Sequence, residues 1–257
     1  MPLPKGVGVG WLTPTKLDHL KAIVEMHVKI TRAVLKKNPH YERAYHFIDA
    51  TAGPGEYEVN GKEVEGSPIV FLSVAENQQL RYKADLIERE PVNVDSLRKR
   101  LPKSSCGRVV IHCCDSAEVI PKLLSSKDEN QLGLYFVDPS TGIPHFETVA
   151  YVSEMRPRME VLMYLSATNL KRICAVTPEP LFDRMQGIDK SHWMVREPFP
   201  RDRHQWTFLL GSNTDLFTNY KKIGFYRLDS EEAQAFFPRL NLTAKQRMER
   251  LQPRLFD

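Results

Sequence analysis

Apolar positions at the start of the chain follow a helical period. Over residues 16–36 they recur every three or four positions, as Leu17, Leu20 and Val24 do, with lysines and acids on the opposite face. This spacing predicts one amphipathic helix, because only a helix brings such positions onto a single face. The helix is expected to end before Pro39, which cannot continue it.

Beyond this helix the apolar pattern changes to short runs separated by helix-like stretches of about ten residues. The runs predict strands at residues 44–50, 83–88, 108–114, 132–138, 159–166 and 205–212. The stretches between them predict helices at residues 67–79, 91–101, 117–124, 145–155 and 179–186. Such alternation predicts an α/β fold with a mainly parallel sheet and helices on both faces. In such a sheet, ligands bind at the carboxyl ends of the strands.

The length of 257 residues fits one sizeable domain. Residues 1–40 are expected to form an N-terminal arm and helix, and residues 41–257 a single domain. The stretch 187–204, GIDKSHWMVREPFPRDRH, is rich in arginine, tryptophan and proline and has no clear period. We expect it to form a lid or substrate-binding insert within that domain.

Composition narrows the class of protein further. Hydrophobic residues make up 42% and charged residues 26%, which disfavours disordered and collagen-like chains. There is neither an apolar run of about 20 residues nor a signal-peptide pattern, so we expect a cytoplasmic protein without a membrane partner. The four cysteines form no CxxC pair, so no metal is expected, and Cys113 and Cys114 are interpreted as buried thiols. A net charge of +4 permits a polyanionic partner without requiring one.

A glycine-containing loop follows the first predicted strand. Asp49 ends that strand, and the loop continues as Ala50-Thr51-Ala52-Gly53-Pro54-Gly55. Glycines allow tight turns and let a ligand approach the backbone amides. A nicotinamide-binding loop would carry a third glycine and open a helix at once, and neither occurs here. The next helix begins instead at Ser67-Pro68, so residues 56–66 are expected to form a small hairpin or loop beside the ligand.

Acidic residues also follow the next three predicted strands. Glu88 ends the second strand and has the acceptor atoms to bind two ribose hydroxyls. Asp115 follows the third strand, where it could accept a hydrogen bond from an adenine amine. Asp138 follows the fourth strand and is expected to face the reaction. Each acid could instead cap a helix, Asp115 most plausibly, but four successive strand ends with an acid favour a ligand site.

These residues resemble the class I S-adenosylmethionine-dependent methyltransferases, in which an acid and a glycine-rich loop follow the first strand. More closely, the chain resembles the three-Cys-motif partner protein family over roughly its first two thirds. The matching motifs are FIDATAGPG, Gly66-Ser67-Pro68, Glu88 and Asp138-Pro139-Ser140-Thr141-Gly142. The resemblance implies a Rossmann-like class I methyltransferase fold, S-adenosyl-L-methionine as cofactor and a three-Cys-motif protein as partner.

The resemblance also implies roles for single residues. The cofactor would be held by Asp49, Thr51, Ala52, Gly53, Gly55, Glu88 and Asp115. Asp138 and Pro139 would be catalytic, with Asp138 and the Pro139 carbonyl accepting the hydrogens of an acceptor amine.

The chain departs from the family pattern at two places. Thr51 stands where an aromatic residue is typical, and Ser140 and Thr141 cannot stack on an extruded base. Stacking would then come from Tyr57, His145, Phe146 or an aromatic residue of the later loop, or the acceptor is not an extruded base.

The aperiodic stretch 187–204 interleaves basic and aromatic residues, a pattern that suits phosphate contacts and base stacking. With Tyr57, the candidate substrate-binding residues are Trp193, Arg196, Arg201 and Arg203. The alternative is that the aromatic rings pack under a long loop while the arginines are merely solvated.

Three functions remain open from the sequence. The first is a methyltransferase that modifies a base in DNA or RNA. The second is a non-catalytic or regulatory partner protein of a bacterial or phage system that keeps the methyltransferase fold. The third is a methyltransferase that acts on a protein or a small molecule.

Overall fold

The computed structural model describes residues 13–139, 144–166, 185, 187–199 and 205–236. The α-helices are α1 (Thr13–Lys37), α2 (Ser67–Asn77), α3 (Pro91–Arg100), α4 (Ser116–Leu123), α5 (Phe146–Met155), α6 (Phe217–Tyr220) and α7 (Glu231–Phe236). The strands are β1 (Tyr45–Asp49), β2 (Glu56–Val59), β3 (Lys62–Glu65), β4 (Tyr82–Glu88), β5 (Val109–Cys113), β6 (Gly133–Val137), β7 (Met159–Ser166), β8 (His192–Arg196), β9 (Trp206–Ser212) and β10 (Phe225–Arg227).

Eight of the described strands form one sheet in the order β10-β8-β9-β7-β6-β1-β4-β5. The neighbours from β7 to β5 in this order pair in parallel, whereas β9 runs antiparallel to both β7 and β8. The chain runs outward from β1 to β4 and β5 and then returns to β6 on the other side of β1. The crevice between β1 and β6 is therefore a topological switch point, the usual place for a ligand in such sheets.

Helices cover both faces of this sheet, as expected for strands that are buried on both sides. On one face α1, α2 and α3 pack over a core that includes Phe47, Phe71 and Phe136, and the rings of Phe47 and Phe71 stack at 3.9 Å. On the other face α4 and α5 contribute Ile120 and Val149 to a second core. The predicted mainly parallel sheet with helices on both faces is confirmed.

Helix α1 is fixed to the sheet by more than its apolar stripe. His27 lies in that stripe and is 3% exposed. Its Nε2 hydrogen-bonds to Glu160 at 2.9 Å, and its Nδ1 hydrogen-bonds to the Tyr45 hydroxyl at 2.8 Å. Because buried polar groups need such partners, these bonds set how α1 lies along the sheet.

The stretch 187–204 differs from the expectation of a lid. Its described part contains β8, which lies inside the sheet between β9 and β10. Met194 and Val195 are buried in the cores on opposite faces, so the stretch lacks the strict alternation that marks a strand with one exposed face. Residues 200–204 lie outside the described residues, as does the helix predicted at 179–186 apart from Met185.

The structure also tests the predictions for the hairpin insert and for the cysteines. Residues 56–66 form the hairpin β2–β3, which confirms the predicted insert. The prediction of buried thiols is wrong, because Cys113 is exposed and Cys114 is half-buried at the end of β5, an edge strand of the sheet. Among the helices described, none is both long and apolar enough to cross a membrane.

Candidate active site at the carboxyl ends of the strands

The strand register brings the four predicted acids to one edge of the sheet. Asp49 at the end of β1 pairs with Leu86 of β4 and with Phe136 of β6, and the acids of those strands follow two residues later. These acids are Glu88 and Asp138. The last residue of β5 pairs with Glu88, and Asp115 follows it by two residues. The predicted cluster of strand-end acids is thus a feature of the described fold.

The loop after β1 is fastened to both neighbouring strands. Ala50 N donates to Phe136 O of β6, and Ala52 N donates to Ile87 O of β4, each at 2.9 Å. Ala52 is fully buried, so its side chain packs in the core and its amide is already paired. The amide of Ala52 is therefore not free to bind a cofactor, and the predicted role of Ala52 stays a prediction.

Thr51 connects the loop to the end of β6. Its hydroxyl accepts a hydrogen bond of 2.8 Å from the amide of Asp138, across the switch point. An aromatic residue at this position could not make that bond. The departure from the family pattern at Thr51 thus has a local structural reason.

The two loop glycines meet different neighbours. Gly53 has φ +63°, and a Cβ there would collide with the hydroxyl of Tyr57. Gly55 has φ +85°, and a Cβ there would meet Leu97 of α3 at 2.9 Å. Gly53 therefore faces the site, whereas the missing side chain of Gly55 serves close packing against α3.

Asp49 lies beneath the loop and is completely buried. Its Oδ1 accepts a hydrogen bond from Thr51 N at 3.0 Å, and its Oδ2 meets no hydrogen-bond partner among the described residues. Burial raises the pKa of Asp49 to about 7, against the lowering effect of the nearby Ser67 hydroxyl and the Thr51 amide. A buried carboxyl oxygen without a partner is costly, and a ligand donor would satisfy it.

Glu88 is held in place by two backbone amides. Its Oε2 accepts from Gly53 N at 2.9 Å and its Oε1 accepts from Glu90 N at 2.8 Å. A carboxylate has about four lone-pair sites, so each oxygen keeps capacity for another donor. Asp115, by contrast, is exposed and caps α4 by accepting from Ala117 N at 2.9 Å. The helix-cap interpretation of Asp115 is correct and leaves its second oxygen at the same edge.

Two tyrosines lie beside Asp138. Tyr57 of the hairpin is half-buried, and its pKa is raised above its usual value by burial and by the carboxylates of Asp138, Asp49 and Glu88. Burial and the carboxylate of Asp138 also raise the pKa of Tyr164 of β7. Tyr57 was predicted as a site residue, whereas Tyr164 was not.

Lys16 of α1 is a second residue that the sequence interpretation missed. Its Nζ lies 2.5 Å from Asp138 Oδ2 and 4.8 Å from the centre of the Tyr164 ring. One signal was available in the sequence. Lys16 precedes Leu20 by four positions, so a lysine continues the apolar stripe of α1 toward the strand ends.

The structure describes two of the predicted substrate residues of the later stretch, Trp193 near the start of β8 and Arg196 at its end. Trp193 is level with Gly211 and Val161, near the amino end of β7, and its ring packs against Gly211. It is partly buried and packs against the core on the α4–α5 face, and its assignment as a substrate residue stays a prediction. Arg196 is half-buried beside Gly224, and Arg201 and Arg203 lie outside the described residues.

The structure also shows where two other aromatic candidates for base stacking lie. Phe146 is 9% exposed and packs in the core under α5. His145 precedes α5, where its Nδ1 hydrogen-bonds to Thr148 at 2.8 Å. Of the four stacking candidates, the structure shows Tyr57 beside Asp138.

Comparison with known proteins shows which solved structures have a similar fold. No family model matches the sequence, and no curated protein does. Protein LPL1258 from Legionella pneumophila strain Philadelphia 1 is similar in structure, with a TM-score of 0.53 and 15% identity over 84% of this chain and 91% of that one. Human Methyltransferase-like protein 13 in complex with SAH has a TM-score of 0.50 and 15% identity, over 93% of this chain and 95% of that one.

At such low identity the likeness concerns the fold alone. Together with the sheet topology it shows that the chain has the Rossmann-like fold of the class I methyltransferases, as predicted. The narrower resemblance to the three-Cys-motif partner proteins stays a prediction.

Proposed function

We propose that this chain is an S-adenosylmethionine-dependent methyltransferase that modifies a base in DNA or RNA. One observation carries the proposal: strand-end carboxylates and a glycine-bearing loop converge at the switch point of a methyltransferase fold. A similar fold, that of human Methyltransferase-like protein 13, was solved with SAH, the demethylated form of the cofactor.

The residues at this edge fit the cofactor chemically. Glu88, held by Gly53 N and Glu90 N, would bind the two ribose hydroxyls through its remaining lone pairs. Asp49, buried beneath the loop with Oδ2 unpaired, would act on the methionyl ammonium through water or through the loop that it holds. Asp115 would accept from the adenine amine, while Gly53 leaves backbone open to the methionyl part.

When bound, the cofactor would supply an activated methyl group on a sulfonium sulfur. The protein's own residues then have three tasks: to exclude water, align the acceptor and hold its proton. Tyr57 and Tyr164 cover the space beside Asp138. The Asp138 carboxylate and the Pro139 carbonyl would accept the hydrogens of the acceptor amine, which leaves the nitrogen lone pair directed at the methyl group.

A base amine is the acceptor that these groups suit. Two hydrogen-bond acceptors match an amine with two hydrogens, and the ring of Tyr57 offers a flat surface for stacking. The support comes from Asp138 and Tyr57, since Trp193 packs against the core near the amino end of β7. A three-Cys-motif protein partner rests on the sequence resemblance alone.

A non-catalytic partner protein is a second candidate function. One observation favours it: the position beside Asp138 is already occupied by Lys16 of the same chain. Such a protein would bind the cofactor and transfer no methyl group to any acceptor.

Transfer of tritium from labelled cofactor to RNA, DNA and protein fractions of a bacterial lysate tests the proposal. We expect label in a nuclease-sensitive fraction with the wild type. Asp138→Asn should bind the cofactor within about twofold of the wild type and transfer at least about a hundredfold more slowly. The matched control is Asp95→Asn, which changes a 66% exposed carboxylate on α3 and should behave as wild type.

The other outcomes are equally clear. Label in the protein fraction alone would contradict a nucleic-acid acceptor. Cofactor binding without label in any fraction would favour the non-catalytic partner. Loss of cofactor binding in Asp138→Asn would contradict the catalytic assignment of Asp138.

A further inference from the structure

Helix α1 brings a single cation into the candidate active site. Lys16 Nζ lies 2.5 Å from Asp138 Oδ2, and these residues are 122 positions apart in the sequence. Their side chains are only 18% and 19% exposed. An ion pair so shielded is less screened by salt than a surface pair, so it holds its two groups more firmly.

The ammonium group has a second contact that fixes its direction. It lies 4.8 Å from the centre of the Tyr164 ring, within the range of a cation–π interaction. The main chain of Asp138 at the other side is fixed as well, because its amide donates to the Thr51 hydroxyl. Lys16 thus joins α1, β7 and the end of β6 at one point.

Docking of α1 does not depend on this pair. The helix buries Leu17, Leu20, Ile23 and Val24 and forms hydrogen bonds through His27 about three turns further on. Lys16 therefore contributes little that the helix needs for packing. What it adds is a positive charge where Asp49, Glu88 and Asp138 concentrate negative charge around Tyr57.

We infer that Lys16 is a positioning residue for methyl transfer, which holds the Asp138 carboxylate in the orientation that receives the acceptor amine. This inference rests on the proposed function. Lys16 occupies Oδ2 and so turns the carboxylate to present Oδ1 to the acceptor. Its positive charge also partly offsets the negative charge that surrounds the acceptor site.

The test measures methyl transfer and cofactor binding in three single variants. Lys16→Met keeps the length of the side chain and removes the charge, and Lys16→Arg keeps the charge. Lys21→Met removes an exposed lysine one turn further along the same helix. The acceptor is the nucleic-acid fraction that the wild type labels, and cofactor affinity is measured by calorimetry.

We expect Lys16→Met to lower kcat by about tenfold or more, because a displaced catalytic group costs rate rather than affinity. Its cofactor Kd and thermal midpoint should stay close to those of the wild type. Lys16→Arg should recover most of the rate, and Lys21→Met should match the wild type. Adding Lys16→Met to Asp138→Asn should cause little further loss, since the lysine acts through Asp138.

Equal rates in the wild type and Lys16→Met would overturn the inference and leave the proposed function intact. An equal and additive loss in the double variant would also overturn it, because Lys16 would then act without Asp138. A wild type that labels no acceptor contradicts the proposed function itself and removes the inference with it. Loss of folding in Lys16→Met alone, with normal folding in Lys16→Arg, would assign the pair a structural role and so overturn the positioning role.

Discussion

Gly53 and Gly61 share a left-handed backbone conformation and differ in their surroundings. Their φ angles are +63° and +74°, but a Cβ at Gly53 collides with Tyr57 while a Cβ at Gly61 meets nothing within 4 Å. Gly61→Ala should therefore cost only the backbone strain, about 1–2 kcal/mol of unfolding free energy. Gly53→Ala should cost about 1–3 kcal/mol more, because Tyr57 must move.

The variants Gly53→Ala and Gly61→Ala should differ even more in their affinity for the cofactor. Gly53→Ala should weaken binding about tenfold or more, because the added methyl group and the displaced Tyr57 enter the space of the methionyl part. Gly61→Ala should leave binding unchanged. Urea unfolding and calorimetry measure both effects, and equal affinities for the two variants would show that the ligand does not approach Gly53.

Asp49 makes folding stability depend on pH in a particular direction. Burial raises its pKa from 3.8 to about 7, so between these values the folded chain binds a proton that the unfolded chain has released. Stability must therefore fall as pH rises through this window. Asp49→Asn lacks the titrating group, so the wild type should lose up to about 4 kcal/mol relative to this variant between about pH 4 and 7.

Urea unfolding at several pH values measures this difference. Asp95→Asn, at an exposed position on α3, is the control and should follow the wild type at every pH. A stability difference between the wild type and Asp49→Asn that stays constant with pH would contradict the raised pKa of Asp49.

Most single residues of the site were predictable from the sequence, and a few were not. Asp49, Glu88 and Asp138 could be placed because each directly follows an apolar strand-like run. Lys16 and Tyr164 could not, because their roles depend on how α1 crosses the sheet and on which face of β7 turns toward it. The spacing of apolar residues puts Lys16 in line with the buried stripe of α1, but it does not say which strand end that stripe reaches.

At the scale of elements, β8 shows why a strand can escape sequence analysis. Its pairing partners β9 and β10 both come later in the chain, and its own five residues show no regular alternation of apolar and polar side chains. The strand is therefore recognisable from its pairing but not from its own sequence. The strands β1, β4 and β6 are fully or mostly buried, and for this reason they can be predicted as apolar runs in the sequence. Their predicted ends fall within two residues of the observed ones.

Substitutions of Trp193 in β8 test whether this residue serves packing or substrate binding. Its ring packs on Gly211, so Trp193→Ala should lower the unfolding free energy by up to about 3 kcal/mol through lost packing. Cofactor binding and methyl transfer at a temperature well below unfolding should stay unchanged. Trp193→Phe should show a smaller loss of stability, and a variant with normal stability but impaired transfer would support the substrate role of Trp193.

At the scale of the whole molecule, the site arises from topology rather than from proximity in sequence. Parallel strands end at one edge, so acids at positions 49, 88, 115 and 138 meet there although 89 residues separate the first from the last. The parallel topology follows from the alternation of strands and helices. For this reason the location of the site, unlike the substrate surface, could be predicted from the sequence.

The central claim is that this edge binds S-adenosylmethionine, and calorimetric titration of the wild type, Glu88→Ala and Glu90→Ala tests it most directly. Glu90 is exposed and only its backbone amide contacts Glu88, so its side chain is a matched control. We predict a dissociation constant on the order of micromolar for the wild type and for Glu90→Ala. Glu88→Ala should bind about 10- to 100-fold more weakly, because it loses the hydrogen bonds to the ribose. A wild type that does not bind the cofactor, or equal affinities in all three proteins, would contradict the claim.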